Sequence, residues 1–95
     1  MENKKFKVKV EWQGVKKNNL PSGLQYITVS KFDETWMQNA WSVVLEFEIP
    51  PNMQGNPSVG FARFLVPSAP KEKLFHGASF ELYEGNTLTA KAAVI

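Results

Sequence analysis

Few residues carry the chemistry of an acid–base site. His76 is the sole histidine, and it precedes Gly77 in the run KLFHGAS. An imidazole base needs an orienting acid, and a nucleophile or water within about 2.6–3.2 Å. No motif around His76 supplies either, so it reads as a structural or solvated loop residue. Glu46 and Glu48 lie two apart in WSVVLEFEI and, on a strand, face the same way. Two carboxylates on one face can divide acid and base roles, as in glycoside hydrolysis. The plainer reading is the polar face of an amphipathic strand, which is routinely charged. The enzyme alternative is His76 working with Glu46 or Glu48. One histidine and no cysteine make no usual zinc site, and no ladder of aspartates points to calcium. A Gly-x-x-x-x-Gly-Lys-Ser/Thr loop is missing, and with it the phosphate cradle of a nucleotide hydrolase. The expectation is no enzyme: no catalytic, cofactor-binding or metal-binding residues, no cofactor and no nucleotide.

Binding chemistry is better represented. Residues 1–17 hold six lysines against Glu2 and Glu11, a local balance of +4, while the rest of the chain balances at −2. Lys5, Lys7, Lys9, Lys16 and Lys17 can line one side of the first strand and its loop. Such a row holds RNA, tRNA included, by phosphate contacts if an aromatic stacks beside it. The competing role of the row is to keep an exposed strand from pairing with other edges. Among the tryptophans, Trp12 and Trp41 fall on apolar faces and are expected in the core. Trp36 sits with Met37 in the polar stretch DETWMQNA, where an exposed aromatic is a contact hot spot. The same side chain can instead fold back as a lid on one end of the fold. Trp36, Met37 and Asn39 are the candidate protein-contact residues.

The elements that must position these side chains are strands. In KLFHGASFELYEGNTLTAKAAVI, Ala78, Phe80 and Leu82 alternate with Ser79, Glu81 and Tyr83. Beyond Glu84-Gly85-Asn86, Leu88, Ala90, Ala92 and Val94 alternate with Thr87, Thr89, Lys91 and Ala93. Period-two alternation about a Gly-Asn dipeptide predicts a hairpin, and the two inward alanines predict a close approach by another element. Phe6, Val8, Val10 and Trp12 alternate with Lys7, Lys9 and Glu11, a half-buried strand with a charged outer face. Leu24 to Phe32 is β-branched and aromatic, hence a strand. Trp41 to Ile49 alternates cleanly, with Trp41, Val43, Leu45, Phe47 and Ile49 on one face, and Pro50-Pro51 ends it. Ser58 to Val66 is apolar on both faces around Arg63. Val15 to Asn19 and Asn52 to Pro57 read as loops, and Asp33 to Ala40 as a single helical turn or a loop. Amphipathic strands with little or no helix predict one all-β domain over residues 1–95: a small six-stranded antiparallel closed β-barrel.

The start, MENKKFKVKV, has no apolar core of a leader, and no apolar run approaches the ~18 residues of a membrane span. With no cysteine, the expectation is a cytoplasmic protein with no membrane partner; the opening methionine leads us to expect a complete chain.

The C-terminal half resembles the third, C-terminal β-barrel of translation elongation factor Tu. The resemblance is carried by SVGFARFLVP, the charged connection KEKLFHG, the Gly-x-x-Phe of Gly77 to Phe80, Glu84-Gly85, and a last strand with small residues. Phe6 to Trp12 takes the place of the first barrel strand. The family usually has glycines where this chain has Ala90 and Ala92. It commonly has Arg before the Glu-Gly and Gly-Arg after it, where this chain has Tyr83, Asn86 and Thr87, and its Arg-Pro pair gives way to Ser42-Val43. Residues 14–40 are longer than the family's connection. In that family the barrel docks to a GTP-binding domain, helps hold the acceptor and T arms of aminoacyl-tRNA and meets other protein factors, all without catalysis. The resemblance implies a stand-alone binding module for a protein partner linked to translation. RNA binding through the lysine-rich face is the alternative.

Overall fold

The computed structural model describes residues 5–31, 41–66, 68, 69 and 73–95. Trp36, Met37 and Asn39, and the segment Asp33 to Ala40 as a whole, lie outside the described residues. Six strands form: β1 (Phe6–Trp12), β2 (Gln25–Lys31), β3 (Trp41–Glu46), β4 (Ser58–Phe64), β5 (Ser79–Glu84) and β6 (Thr87–Val94). They close into a barrel in the order β1-β4-β3-β2-β5-β6, and every neighbouring pair is antiparallel. Closure follows from the alternation. Val8, Val10 and Trp12 of β1 are buried while Lys7, Lys9 and Glu11 are exposed, and a sheet with one apolar face must cover it.

Val43, Leu45, Ala62, Phe64, Phe80, Leu82, Ala90, Ala92 and Val94 join β1's side chains in the core. The alanines are approached as expected: Ala90 lies across from Trp12 and Leu82, Ala92 across from Val10 and Phe80. Small residues opposite large ones fill a narrow barrel. Trp12 is 1% exposed, and its indole N–H donates to Ser58 Oγ at 3.0 Å. Trp41 is half-buried and packs on the rim of that core. At the β5–β6 turn, Glu84 pairs with Thr87 across Gly85-Asn86. Gly85 has φ 63, and no described residue other than glycine has positive φ, which fits a type II′ turn with glycine at its first central position.

The structure departs from the sequence reading in several places, Val44 among them, which the alternation puts outside and the fold buries completely. Residues expected as loops form single helical turns, α1 (Gly14–Asn18) and α2 (Pro51–Gln54). α2 begins on a proline whose missing N–H needs no partner there, and α1 leans on β6 and β1. β3 ends at Glu46: the Phe47 N–H still donates to Leu24 O at 2.8 Å, one step on in the β2–β3 register, and beyond it the chain leaves the sheet. Ile49, expected on the inner face, is therefore 53% exposed. Finally, the β5–β6 register slips between Leu82/Ala90 and Tyr83/Leu88. The extra residue, Thr89, turns inward and is buried, and Leu88 comes out beside Tyr83; a bulge of one residue reverses the faces beyond it.

Candidate docking surface

The five lysines do not form one patch. Lys5, Lys7 and Lys9 share the outer face of β1, whereas Lys16 and Lys17 ride on α1 beyond its far end. Two of the five are neutralised within the fold. Lys5 Nζ lies 3.1 Å from Glu46 Oε1, and Lys16 Nζ lies 3.2 Å from Glu84 Oε2 and 5.6 Å from the Tyr26 ring centre. Among the described residues, Lys7, Lys9 and Lys17 are exposed and enter no ion pair.

The acid–base candidates stay apart chemically. Glu46 also accepts from Arg63 Nε at 3.3 Å. The hydrogen bond from Lys5, with Arg63 beside it, holds its carboxyl below the usual range against a smaller opposing effect of burial. It is thus ionised and occupied at neutral pH, the reverse of a general acid. Glu48 and His76 are exposed. No hydrogen bond or ion pair among the described residues joins His76 to either glutamate. No three His, Asp or Glu among the described residues gather as metal ligands.

Among the described residues, two clefts on the outer wall bear on docking. One, of about 250 Å³, lies between α1 and the β5–β6 turn, with Val15, Lys16, Glu84, Leu88 and Thr89 in its walls. Tyr26 ties two of these lining residues together. Its hydroxyl donates to Glu84 Oε2 at 2.5 Å and lies 3.0 Å from Thr89 Oγ1. Burial first, and the Glu84 carboxylate second, push the Tyr26 phenol up to about 12, while that phenol and Lys16 hold Glu84 below its ordinary value. The folded state therefore keeps a proton on Tyr26 that the unfolded chain loses near pH 10. Stability that is intact below pH 10 is expected to decline as pH rises from about 10 to 12. Urea midpoints measured at pH 9 and pH 11 should show a smaller fall for Tyr26→Phe than for the parent. The fall should not vanish, because partial burial and Glu81 raise Tyr83 as well. An equal fall in both proteins would show that Tyr26 does not govern it.

The other cleft, about 240 Å³, is where β3 leaves β4; Lys7, Glu48, Ile49, Gln54, Val59 and Phe61 surround it, with Gly60 behind. The missing strand partner is replaced by one side chain. Gln54 Nε2 donates to Ile49 O at 2.7 Å and Val59 O at 2.9 Å, and the Val59 N–H donates to Gln54 Oε1 at 2.8 Å. An amide side chain thus satisfies the ladder that Glu48 and Ile49 abandon, and it holds Ile49 out at the surface. Val59 is 39% exposed and Phe61 half-buried. The β1–β4 register sets Lys7 beside Phe61 and Lys9 beside Val59. The result is an apolar row with a cationic row next to it and Glu48 on the far side.

Ile49, Val59 and Phe61 were not among the sequence candidates. The signal present was that SVGFARFLV is apolar on both faces, so one of those faces had to lie outside any barrel built from it. Compared with protein families, curated proteins and solved structures, the chain matches none, so its resemblance to the elongation factor Tu barrel rests on the sequence pattern alone.

Proposed function

We propose that this barrel is a stand-alone, non-catalytic binding module that docks to a protein partner through the outer wall of β1 and β4. The observation that carries the reading is the apolar row of exposed Ile49 and Val59 and half-buried Phe61, set between Lys7 and Glu48. An apolar centre rimmed by charge is the anatomy of a protein interface, and apolar side chains grouped in one patch with a polar rim mark an interaction site. The resemblance to a factor-binding barrel makes the translation apparatus the first place to seek that partner. RNA binding is the weaker reading, because Lys5 and Lys16 are paired within the fold and the apolar row would contribute nothing to phosphate contacts.

Crosslinked capture by the parent protein, compared with Ile49→Asp and with Met53→Ser as a control on α2, tests the reading. Met53 is 75% exposed and does not line the cleft. A partner enriched by the parent and by Met53→Ser, and lost roughly tenfold or more with Ile49→Asp, is expected for a buried interface anchor. Equal enrichment by all three would remove this wall as the docking site.

A further inference from the structure

Resting on that docking reading, we infer that the segment received by this wall is an acidic amphipathic helix, with its apolar stripe on Ile49, Val59 and Phe61 and its carboxylates on Lys7 and Lys9. The first argument is hydrogen bonding. β1 is paired on both sides, by β4 and β6, and the Val59 backbone is closed by Gln54. With no open ladder here, a partner cannot add as a strand and must dock through side chains.

The second argument is charge. Elsewhere on the barrel several charges are settled internally: Lys5 with Glu46, Lys31 with Glu81, and Glu11 directly across from Lys91. Lys9 instead sits between Val59 and Ala93. Lys7 sits beside Phe61 on one side, and on the other its carbonyl accepts from the Ile95 N–H at 2.9 Å. Among the described residues, neither has an acidic cross-strand neighbour or an ion pair, which leaves both charges for a partner to complement. A nucleic acid would answer the lysines but not the exposed aliphatic side chains of Ile49 and Val59 beside them.

The third argument is spacing. Adjacent strands are about 4.8 Å apart, and a helix with its side chains is about 10–12 Å across. A helix lying along β4 therefore places one flank over β1. Lys7 and Lys9 are separated along the strand by about 6.7 Å, and residues four apart on a helix by about 6 Å. Two carboxylates at that spacing meet both lysines at once. Glu48, on the opposite side of the cleft, calls for a lysine or arginine on the other flank and so fixes the helix direction.

Fluorescence anisotropy with synthetic peptides tests this. The probe is a labelled helical peptide of about 14 residues, four turns, with a leucine stripe, two glutamates four apart on one flank and a lysine on the other. A second peptide carries lysines in place of the glutamates. The parent should prefer the glutamate peptide, and Lys7→Glu with Lys9→Glu should weaken it by about tenfold and reverse the preference, since two exposed pairs change sign together. Both lysines are exposed, so circular dichroism should show the double variant folded. No preference by the parent, or no response to the double variant, overturns the inference. A captured partner that depends on Ile49 but ignores the lysine reversal leaves the docking reading standing and this inference lost. Insensitivity of both capture and peptide to Ile49→Asp removes the docking reading itself. Displacement of the glutamate peptide by a single-stranded RNA at equal concentration would assign the lysines to nucleic acid.

Discussion

Trp12→Ala is expected to destabilise the barrel by about 3–5 kcal/mol, the range for removing a large aromatic from a packed core. Trp12 is 1% exposed and is the largest of the fully buried side chains. Its indole meets Tyr26 edge-on at 5.3 Å and Phe47 at 6.3 Å between ring centres. Alanine would leave a void lined by both rings and would strip the donor from Ser58 Oγ, which still donates to Gly55 O at 2.7 Å. A domain of this size has a total stability of about 5–14 kcal/mol, so the variant should be marginal, with a melting temperature lower by on the order of 20 °C. Trp12→Phe separates the two contributions: most of the volume stays, and the loss should approach the ~1 kcal/mol of one buried hydrogen bond. Urea unfolding of both variants reads the difference. A loss under about 1 kcal/mol for Trp12→Ala would mean that the Trp12–Tyr26–Phe47 cluster does not organise this end of the core.

Trp12 was legible as core because β1 alternates without a fault and the structure keeps that alternation. The same holds for Phe80, Leu82, Ala90 and Ala92, and the barrel itself followed from strands of that kind. Period-two reasoning failed where the period is broken by something it does not contain. Ile49 continues the alternation of β3 on paper, but the chain leaves the sheet after Phe47, and Gln54 takes the Val59 backbone groups in place of a longer β3; an exit set by contacts far along the chain cannot be read from spacing. Leu88 continues the alternation of β6, but Thr89 bulges, held by Tyr26 Oη at 3.0 Å and Leu82 O at 3.2 Å. A bulge built on threonine has no glycine to announce it. β2 gives no facial pattern at all: its buried positions, Thr28 and Ser30, are polar and bond to Tyr83 O and Trp41 O. The candidate wall was legible only in part: SVGFARFLV is apolar on both faces, but Ile49 reaches the surface only because β3 ends early.

Gly60→Ala should cost about 1–3 kcal/mol, the usual penalty for overpacking, and Gly60→Val more. Gly60 faces inward on β4 opposite Val8, at the level where β3 departs. A Cβ placed there would lie 2.6 Å from the Glu46 carbonyl oxygen and 2.6 and 2.9 Å from Cδ1 and Cε1 of Phe47. The Phe47 ring therefore occupies the space a side chain would need, and a glycine in mid-strand marks that close approach. The ring can swing away, but the Glu46 carbonyl is backbone and moves only with β3. Combining Gly60→Ala with Phe47→Ala should recover part of the ring's share of the penalty, giving a coupling of about 1 kcal/mol or more in a double-mutant cycle. The remainder belongs to Glu46. The consequence reaches the outer wall. Whatever shifts Glu46 and Phe47 shifts Glu48 and Ile49, the residues that follow them into the cleft. Folded Gly60→Ala protein, assayed well below its melting temperature, should therefore bind the glutamate peptide more weakly than the parent, although Gly60 has no side chain with which to touch it. A melting temperature within about 4 °C of the parent would put the loss below ~1 kcal/mol and show that β3 can step aside without strain. Undiminished peptide affinity in a destabilised variant would show instead that Gln54, which fastens Ile49 to β4, fixes the wall independently of the packing beneath it.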